Sequence, residues 1–176
     1  KINENNIRPI WKDADLYTIK SLVKVAAGAT ASQKASEYID QAVRARKEYK
    51  GSGSPSLFAP ETIITECLLI KDANGRRIYN NLNDLATAMM VKEIIPVPVM
   101  ENLSRNDDTN GEVELLGIIV NLSDYNNGAD KGGSVNMFED FDIDYNAEKY
   151  LIETRCSGAL IKPYSAIALE AQKSNG

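Results

Sequence analysis

The sequence contains no histidine, and this absence excludes several kinds of catalytic and metal-binding site. Without imidazole there is no Ser-His-Asp or Cys-His nucleophile system and no histidine metal ligand. The only cysteines are Cys67 and Cys156, and neither has a partner at the spacing of a CxxC pair. We interpret both as ordinary buried thiols in a reducing compartment, in preference to a disulfide or a nucleophile.

A long apolar run and an excess of basic charge are also missing. No stretch reaches the roughly 18 apolar residues of a membrane-spanning helix, and no basic segment followed by an apolar one opens the chain. Neither a membrane span nor secretion is therefore indicated. With 20 Lys and Arg against 25 Asp and Glu, the net charge is -5. This balance disfavours tight wrapping of nucleic acid, which needs Lys and Arg to neutralise phosphates.

The sequence contains enough apolar residues to form a hydrophobic core. The chain has 176 residues, of which 43% are hydrophobic, a length typical of one domain or of two small lobes. The clearest element is a helix over 30–49, with Thr30 or Ser32 as its N-cap. Its apolar residues recur at spacings of three and four and form one stripe, made of Ala35, Tyr38, Ile39, Ala42 and Val43.

Shorter patterns predict a mixture of helices and strands around it. Pro60 starts either a short helix or a strand, and Asn81 caps a helix that follows. The Asn74-Gly75 pair predicts a tight turn. Strands are expected in "KEIIPVPVM", near a sheet edge because of its prolines, and in the buried "LLGIIVNL". We expect the N-terminal segment to be irregular, "KGSGSPS" to be flexible, and "ENLSRNDDTNGE" and "SDYNNGADKGG" to be loops.

The acidic stretch "FEDFDIDYN" at 138–146 is the best candidate for chemistry. Period-two alternation predicts a strand with Phe141, Ile143 and Tyr145 on one face and Asp142 and Asp144 on the other. Two carboxylates on one face could bind Mg²⁺ or act as acid and base. A solvated strand face is the favoured interpretation, because no further ligand or substrate-binding group is recognisable nearby.

The basic pair Arg76-Arg77 leaves a similar choice open. The plain interpretation is an exposed turn. The alternative is an electrostatic contact with a neighbouring subunit.

The order of the segments resembles a known family. The most telling pieces are the "KDANGR-IY" turn, the Gly117-Ile118-Ile119-Val120 strand and the run "DFDIDYN…YLIETRCSGAL.KP.SAI". In this order and spacing, over nearly the whole chain, they resemble the major capsid proteins of tailed bacteriophages. That family has the shell fold named after phage Hong Kong ninety-seven.

The resemblance implies an α+β fold of two lobes. The axial lobe is a sheet flanked by helices, and the peripheral lobe is a long spine helix on a long β-sheet. The loop 101–112 would lie near the capsomer centre. Members of the family carry an N-terminal arm and an extended hairpin loop that reach over neighbouring subunits. Nothing before Lys1 supplies them here, so we expect a fragment or a processed product. The implied assignment is peripheral 1–56 and 134–162 with the spine helix at about 30–49, axial 57–133 and 163–171, and a tail at 172–176.

The function implied by the resemblance is structural, and no catalytic, cofactor-binding or metal-binding residues are assigned. Copies of the chain would form the pentamers and hexamers of an icosahedral, DNA-containing shell, located in the virion capsid after assembly in the bacterial cytoplasm. Portal, scaffold and maturation protease are the implied partners, with weak non-specific contact to packaged DNA and none to a membrane. The alternatives are an encapsulin-like compartment shell and, more remotely, a metal-dependent enzyme that uses Asp142 and Asp144.

Overall fold

The structure is a computed structural model that describes residues 2, 4–13, 15–25, 28–129, 136–153 and 156–173. Its α-helices are α1 Glu4–Ile7, α2 Ala31–Arg46, α3 Glu61–Leu68 and α4 Leu82–Ala88, with a π-helical turn at Arg8–Lys12 and 3₁₀ turns at Pro98–Met100 and Leu122–Asp124. Its strands are β1 Thr18–Val23, β2 Ser56–Ala59, β3 Ile94–Pro96, β4 Ser104–Asp107, β5 Gly111–Val120, β6 Tyr125–Ala129, β7 Asn136–Asp142, β8 Ala147–Glu153, β9 Cys156–Leu160 and β10 Ala166–Gln172.

A six-stranded mixed sheet organises the chain. Its order is β1-β10-β5-β2-β3, and β4 pairs with the first half of β5 beyond the end of β2. The β1–β10 and β2–β3 pairs are parallel, whereas β5 is antiparallel to β10, β2 and β4. Strand β5 therefore runs through the middle of the sheet. Its apolar run from 117 to 120 is continuous rather than alternating because both faces of the sheet are covered here.

The helices cover one face of this sheet. The stripe of α2 packs with α3, α4 and the inward residues of β1, β2, β5 and β10 in one cluster. Ile119 and Ile167, paired across β5 and β10, are fully buried at its centre. The predicted helix over 30–49 is confirmed as α2. Thr30 caps it by accepting a hydrogen bond from the Gln33 N–H, and the Gln33 side chain caps the Thr30 N–H in return.

The N-terminal segment covers the opposite face. Ile10 and Trp11 are fully buried there, against Ile118 and Ala168 of the sheet. The expectation of an irregular N-terminal segment was wrong, because residues 4–12 form α1 and the π-helical turn. These helical turns are too short to show a helical period in the sequence. Burial of the Ile10 and Trp11 side chains against the sheet therefore determines the conformation of the segment.

Three further expectations need correction. The segments predicted as loops contain strands: Ser104–Asp107 forms a hairpin with β5, and Tyr125–Ala129 pairs with β9. The tract 50–56, which was expected to be flexible, is held in place by hydrogen bonds. Asp124, almost fully buried, accepts hydrogen bonds from the Ser52 N–H and hydroxyl, at 2.5 and 2.7 Å. Asn121 donates to the Ser52 carbonyl, 2.7 Å away. The polar residues of these three segments are ordered because they form hydrogen bonds with residues far along the chain.

Other expectations are confirmed. Residues after Pro60 form helix α3, and Asn81 caps α4 by accepting from the Asp84 N–H at 2.9 Å. Strand β3 lies at the sheet edge and ends on its proline. The division into lobes stays a prediction. Within the described residues, the predicted spine helix shares its core with strands from 57–133 and 163–171.

Candidate assembly surface

Strands β7 and β8 form a separate two-stranded hairpin that contains the acidic stretch. The register runs from Asn136 opposite Glu153 to Asp142 opposite Ala147. The expected single strand through Tyr145 is therefore wrong, because the chain reverses at 143–146. Asp142 explains the reversal: its Oδ1 accepts from the Asp144 N–H at 3.0 Å, and Asn146 takes the positive φ of 50° that closes the turn.

Both faces of the hairpin expose large apolar side chains. Residues opposite one another in an antiparallel pair share a face, so one face carries Met137, Phe141, Tyr150 and Ile152. The other carries the pair Phe138 and Leu151. Each of these side chains is more than half exposed, and Ile143 at the tip is 83% exposed. A single chain leaves this apolar surface, which we call the hairpin surface (136–153), uncovered on both sides.

The carboxylates of the hairpin surface either form ion pairs and hydrogen bonds within the hairpin or face solvent. Asp142 forms an ion pair with Lys149, and this hydrogen bond lowers the pKa of the Asp142 carboxyl. The Tyr150 hydroxyl donates to Glu148 at 2.6 Å, which raises the pKa of the phenol. Asp142 thus holds the turn and Lys149, while Asp144 contributes its backbone N–H. Among the described residues there is no group of three or more potential metal ligands. The cation-site and acid–base hypotheses for Asp142 and Asp144 gain no support.

The hairpin surface also concentrates charge. Residues 136–153 contain six Asp and Glu and one Lys, a net charge of -5, which equals the net charge of the whole chain. The remaining residues are therefore neutral in sum. Acidic charge and exposed apolar area coincide on one element, which is typical of a surface that meets a partner of opposite charge.

A basic counterpart lies between α3 and α4. The Asp72 carboxylate accepts from the backbone N–H groups of Asn74 and Arg76, at 2.8 and 2.9 Å, and Gly75 has the positive φ of 80° that the turn requires. Lys71 and Arg77 pair in an isolated β-bridge. This basic turn surface, defined as Leu69, Lys71, Arg76, Arg77 and Ile78, is exposed, and its two aliphatic side chains are 48% and 49% exposed.

A cavity of about 450 Å³ lies where the start of α2 meets α3, the middle of β5 and the end of β10. Its charged side chains are Lys34, Glu66, Glu101 and Glu114. Glu101 accepts a hydrogen bond from Thr62 at 2.9 Å. Within the described residues, Lys34 forms no ion pair with the three glutamates. The charged side chains that line the cavity therefore do not come together at one point, as those of a catalytic site would.

Cys67 is buried and free, and burial raises its pKa to about 12, which confirms the expectation of a buried thiol at this position. The side chain of Cys156 lies outside the described residues. In the part of the chain that the structure describes, no helix is long and apolar enough to cross a membrane.

With this geometry, the chain is an α+β protein with a sheet covered by helices and a projecting hairpin. No family model and no curated protein matches it. Solved structures do. The capsid of an empty GTA particle, computed with C5 symmetry, matches with a TM-score of 0.57 and 11% identity over 90% of this chain and 55% of that chain.

Two further structures agree with this. The mature capsid of bacteriophage PhiM1 matches with a TM-score of 0.55 and 11% identity, over 89% of this chain and 52% of that chain. A structure from Mycobacterium phage Ogopogo matches with a TM-score of 0.52 and 10% identity, over 86% and 53%. The chain thus spans about half the length of each. These likenesses confirm the expected fold, which is that of phage major capsid proteins.

Proposed function

We propose that this chain is the structural part of a major capsid subunit of a tailed phage or prophage, which tiles with copies of itself into a closed shell. The hairpin surface is the observation that carries the proposal. Burial of a Phe, Leu, Ile or Met side chain contributes about 1.5–3 kcal/mol, and this surface holds several of them in solvent. A chain that works as a separate molecule has no use for such an exposed element, whereas a shell subunit covers it with neighbours.

The finer features of the assembly follow the capsid family in this proposal. Copies form pentamers and hexamers around an axial lobe, and the hairpin belongs to the peripheral lobe, inside the predicted range 134–162. The assembled subunit lies in the virion capsid, after assembly in the bacterial cytoplasm with portal, scaffold and maturation protease. Its contact with packaged DNA is weak and non-specific, which agrees with the net charge of -5. The similar solved structures are capsids, which favours this function over an encapsulin-like compartment.

The experiment is to express the complete coding sequence that contains this chain and to image the product by negative-stain electron microscopy. The expected product is uniform round shells. A variant with Phe138→Asp and Phe141→Asp places charge on both faces of the hairpin and is expected to abolish shells. Its melting temperature should stay close to that of the unchanged chain, since both side chains are 53% exposed in the single subunit. Dispersed monomers from the unchanged sequence under all conditions would contradict the proposal.

A matched control replaces exposed apolar side chains elsewhere. Leu16 and Met90 are 57% and 60% exposed, and neither lies on the hairpin. The variant Leu16→Asp with Met90→Asp is expected to retain shells. Loss of shells in this control as well would show that the particles fail for a general reason, such as poor solubility, and would remove the hairpin as the explanation.

A further inference from the structure

We infer that the hairpin surface of one copy docks onto the basic turn surface of a second copy. The inference rests on the proposed shell function and names the contact that holds two subunits together. Both surfaces combine exposed apolar side chains with charge of a single prevailing sign, and the two signs are opposite. A contact between them would bury the apolar parts together and pair the charges.

The hairpin surface needs a partner for two reasons. A two-stranded hairpin is at best marginally stable alone in water, and within the described residues β7 and β8 pair only with each other. Their outer edges therefore present unpaired backbone N–H and C=O groups. The apolar side chains on both faces are more than half exposed as well. An element packed against one face would bury the apolar side chains of that face and so stabilise the hairpin.

The charges select the partner surface. Glu139 and Asp140 form no ion pair within the described residues, and neither do the three cations Lys71, Arg76 and Arg77. Among the described residues, most arginines outside this turn already hold a carboxylate, as Arg8, Arg44 and Arg105 do. Three unpaired cations within seven residues occur at the basic turn surface, and the one acid among them, Asp72, is occupied by backbone N–H groups.

The contact must join two copies. Each surface is exposed in the single chain, so the hairpin does not cover the basic turn of its own subunit. Because the two surfaces differ, the contact is heterologous and repeats from head to tail. Such contacts close into rings when the rotation permits and otherwise continue as open filaments. Ring closure is the geometry that a capsomer requires.

A charge-reversal series on the isolated chain tests the inference by sedimentation velocity at low salt. The variant R76E/R77E makes both surfaces acidic, and E139K/D140K reduces the net charge of the hairpin surface from -5 to -1. Each is expected to self-associate at least about tenfold more weakly than the unchanged chain. R76E/R77E sets like charges against each other, and E139K/D140K removes most of the attraction between the two surfaces. An equimolar mixture of the two variants is expected to associate again, since the unchanged hairpin surface of R76E/R77E then meets the unchanged basic turn surface of E139K/D140K. Added salt should weaken all of these complexes.

The control is K24E/K92E, which reverses two exposed lysines outside both surfaces and alters net charge by the same amount as R76E/R77E. It is expected to associate like the unchanged chain. The inference is overturned if the unchanged chain stays monomeric at all concentrations, if R76E/R77E associates normally, if the control weakens equally, or if the mixture stays monomeric. Shells formed by the complete protein alongside any of these results would leave the proposed function standing and remove only this contact.

Discussion

Arg105 on β4 binds Glu170 on β10 across the intervening strand β5. The Nε and Nη2 atoms of the guanidinium each lie 2.9 Å from a different carboxylate oxygen. The two side chains are only 13% and 4% exposed. The Trp11 indole N–H donates to the same carboxylate, so one buried ion pair joins the N-terminal segment, the β4 hairpin and the last strand. The hydrogen bonds that Arg105 donates to Glu170 raise the pKa of Arg105.

Replacement of Glu170 by Ala is expected to lower the free energy of unfolding by about 3 kcal/mol, because it leaves a buried guanidinium with reduced compensation. Asp107, which is 3.0 Å from Arg105, supplies the compensation that remains. Urea denaturation followed by circular dichroism measures the loss. The double variant Arg105→Met, Glu170→Leu removes both charges and should cost less than Glu170→Ala. A single variant as stable as the unchanged chain would show that the pair is dispensable.

Asp124 is expected to make stability depend on acid pH. Burial alone would raise the pKa of its carboxyl, but hydrogen bonds from Ser52 and Lys162 outweigh burial and hold the pKa below the ordinary 3.8. A pKa lowered in the folded state adds stability above the unfolded value, and this stability disappears as pH falls through the folded value. The variant Asp124→Asn should therefore be less stable at neutral pH and approach the unchanged chain as the pH falls below 3.8.

Urea unfolding across this pH range provides the test for Asp124. Asp108→Asn is the matched control, since Asp108 is an exposed aspartate, and it should follow the unchanged chain at every pH. A constant difference between Asp124→Asn and the unchanged chain over the whole range would mean that the contribution of Asp124 is not electrostatic.

Gly117 in β5 is expected not to tolerate a side chain. A Cβ placed there would lie 2.5 Å from the Tyr38 hydroxyl oxygen and 3.2 Å from both Leu57 Cδ1 and the Phe58 carbonyl oxygen. The variant Gly117→Ala should lose about 1–3 kcal/mol of unfolding free energy, the usual cost of an overpacked core. Gly128→Ala is the control, because its nearest contact would be an ordinary 3.8 Å. Equal thermal stability of the two variants would refute the packing argument.

Cys67 is expected to resist thiol reagents in the folded protein. Its side chain is 1% exposed, and burial raises its pKa to about 12, so little thiolate forms at neutral pH. In a Cys156→Ser background, labelling with a maleimide should proceed only after unfolding in urea. Rapid labelling without urea would show that the helix-covered core opens readily near α3.

The sequence predicted those elements whose residues carry a local signal. The stripe and capping residues of α2, the apolar run of β5 and the Asn81 cap each depend on neighbours within a few positions. The strands at Ser104–Asp107 and Tyr125–Ala129 carry no such signal, because their residues favour turns and become strands only by pairing with β5 and β9. Pairing with distant parts of the chain therefore determines that these two segments are strands.

The candidate site shows the same limit. Alternation correctly placed a strand at the acidic stretch, but it could not locate the reversal, because Ile143 and Tyr145 continue the pattern into the turn. The Asp142 side chain that caps the turn was interpreted as a strand-face acid. The exposure of the apolar side chains on both hairpin faces also lies beyond sequence reasoning, since alternation predicts one covered face.

The central claim is that the hairpin surface is covered by other copies of the same chain. A cryo-electron microscopy reconstruction of particles formed by the complete protein tests it directly. The account predicts a closed shell in which Phe138, Phe141 and Ile152 of each subunit are buried against a neighbouring subunit. A shell in which these side chains still face solvent, or a product that never advances beyond the single chain, would contradict the account.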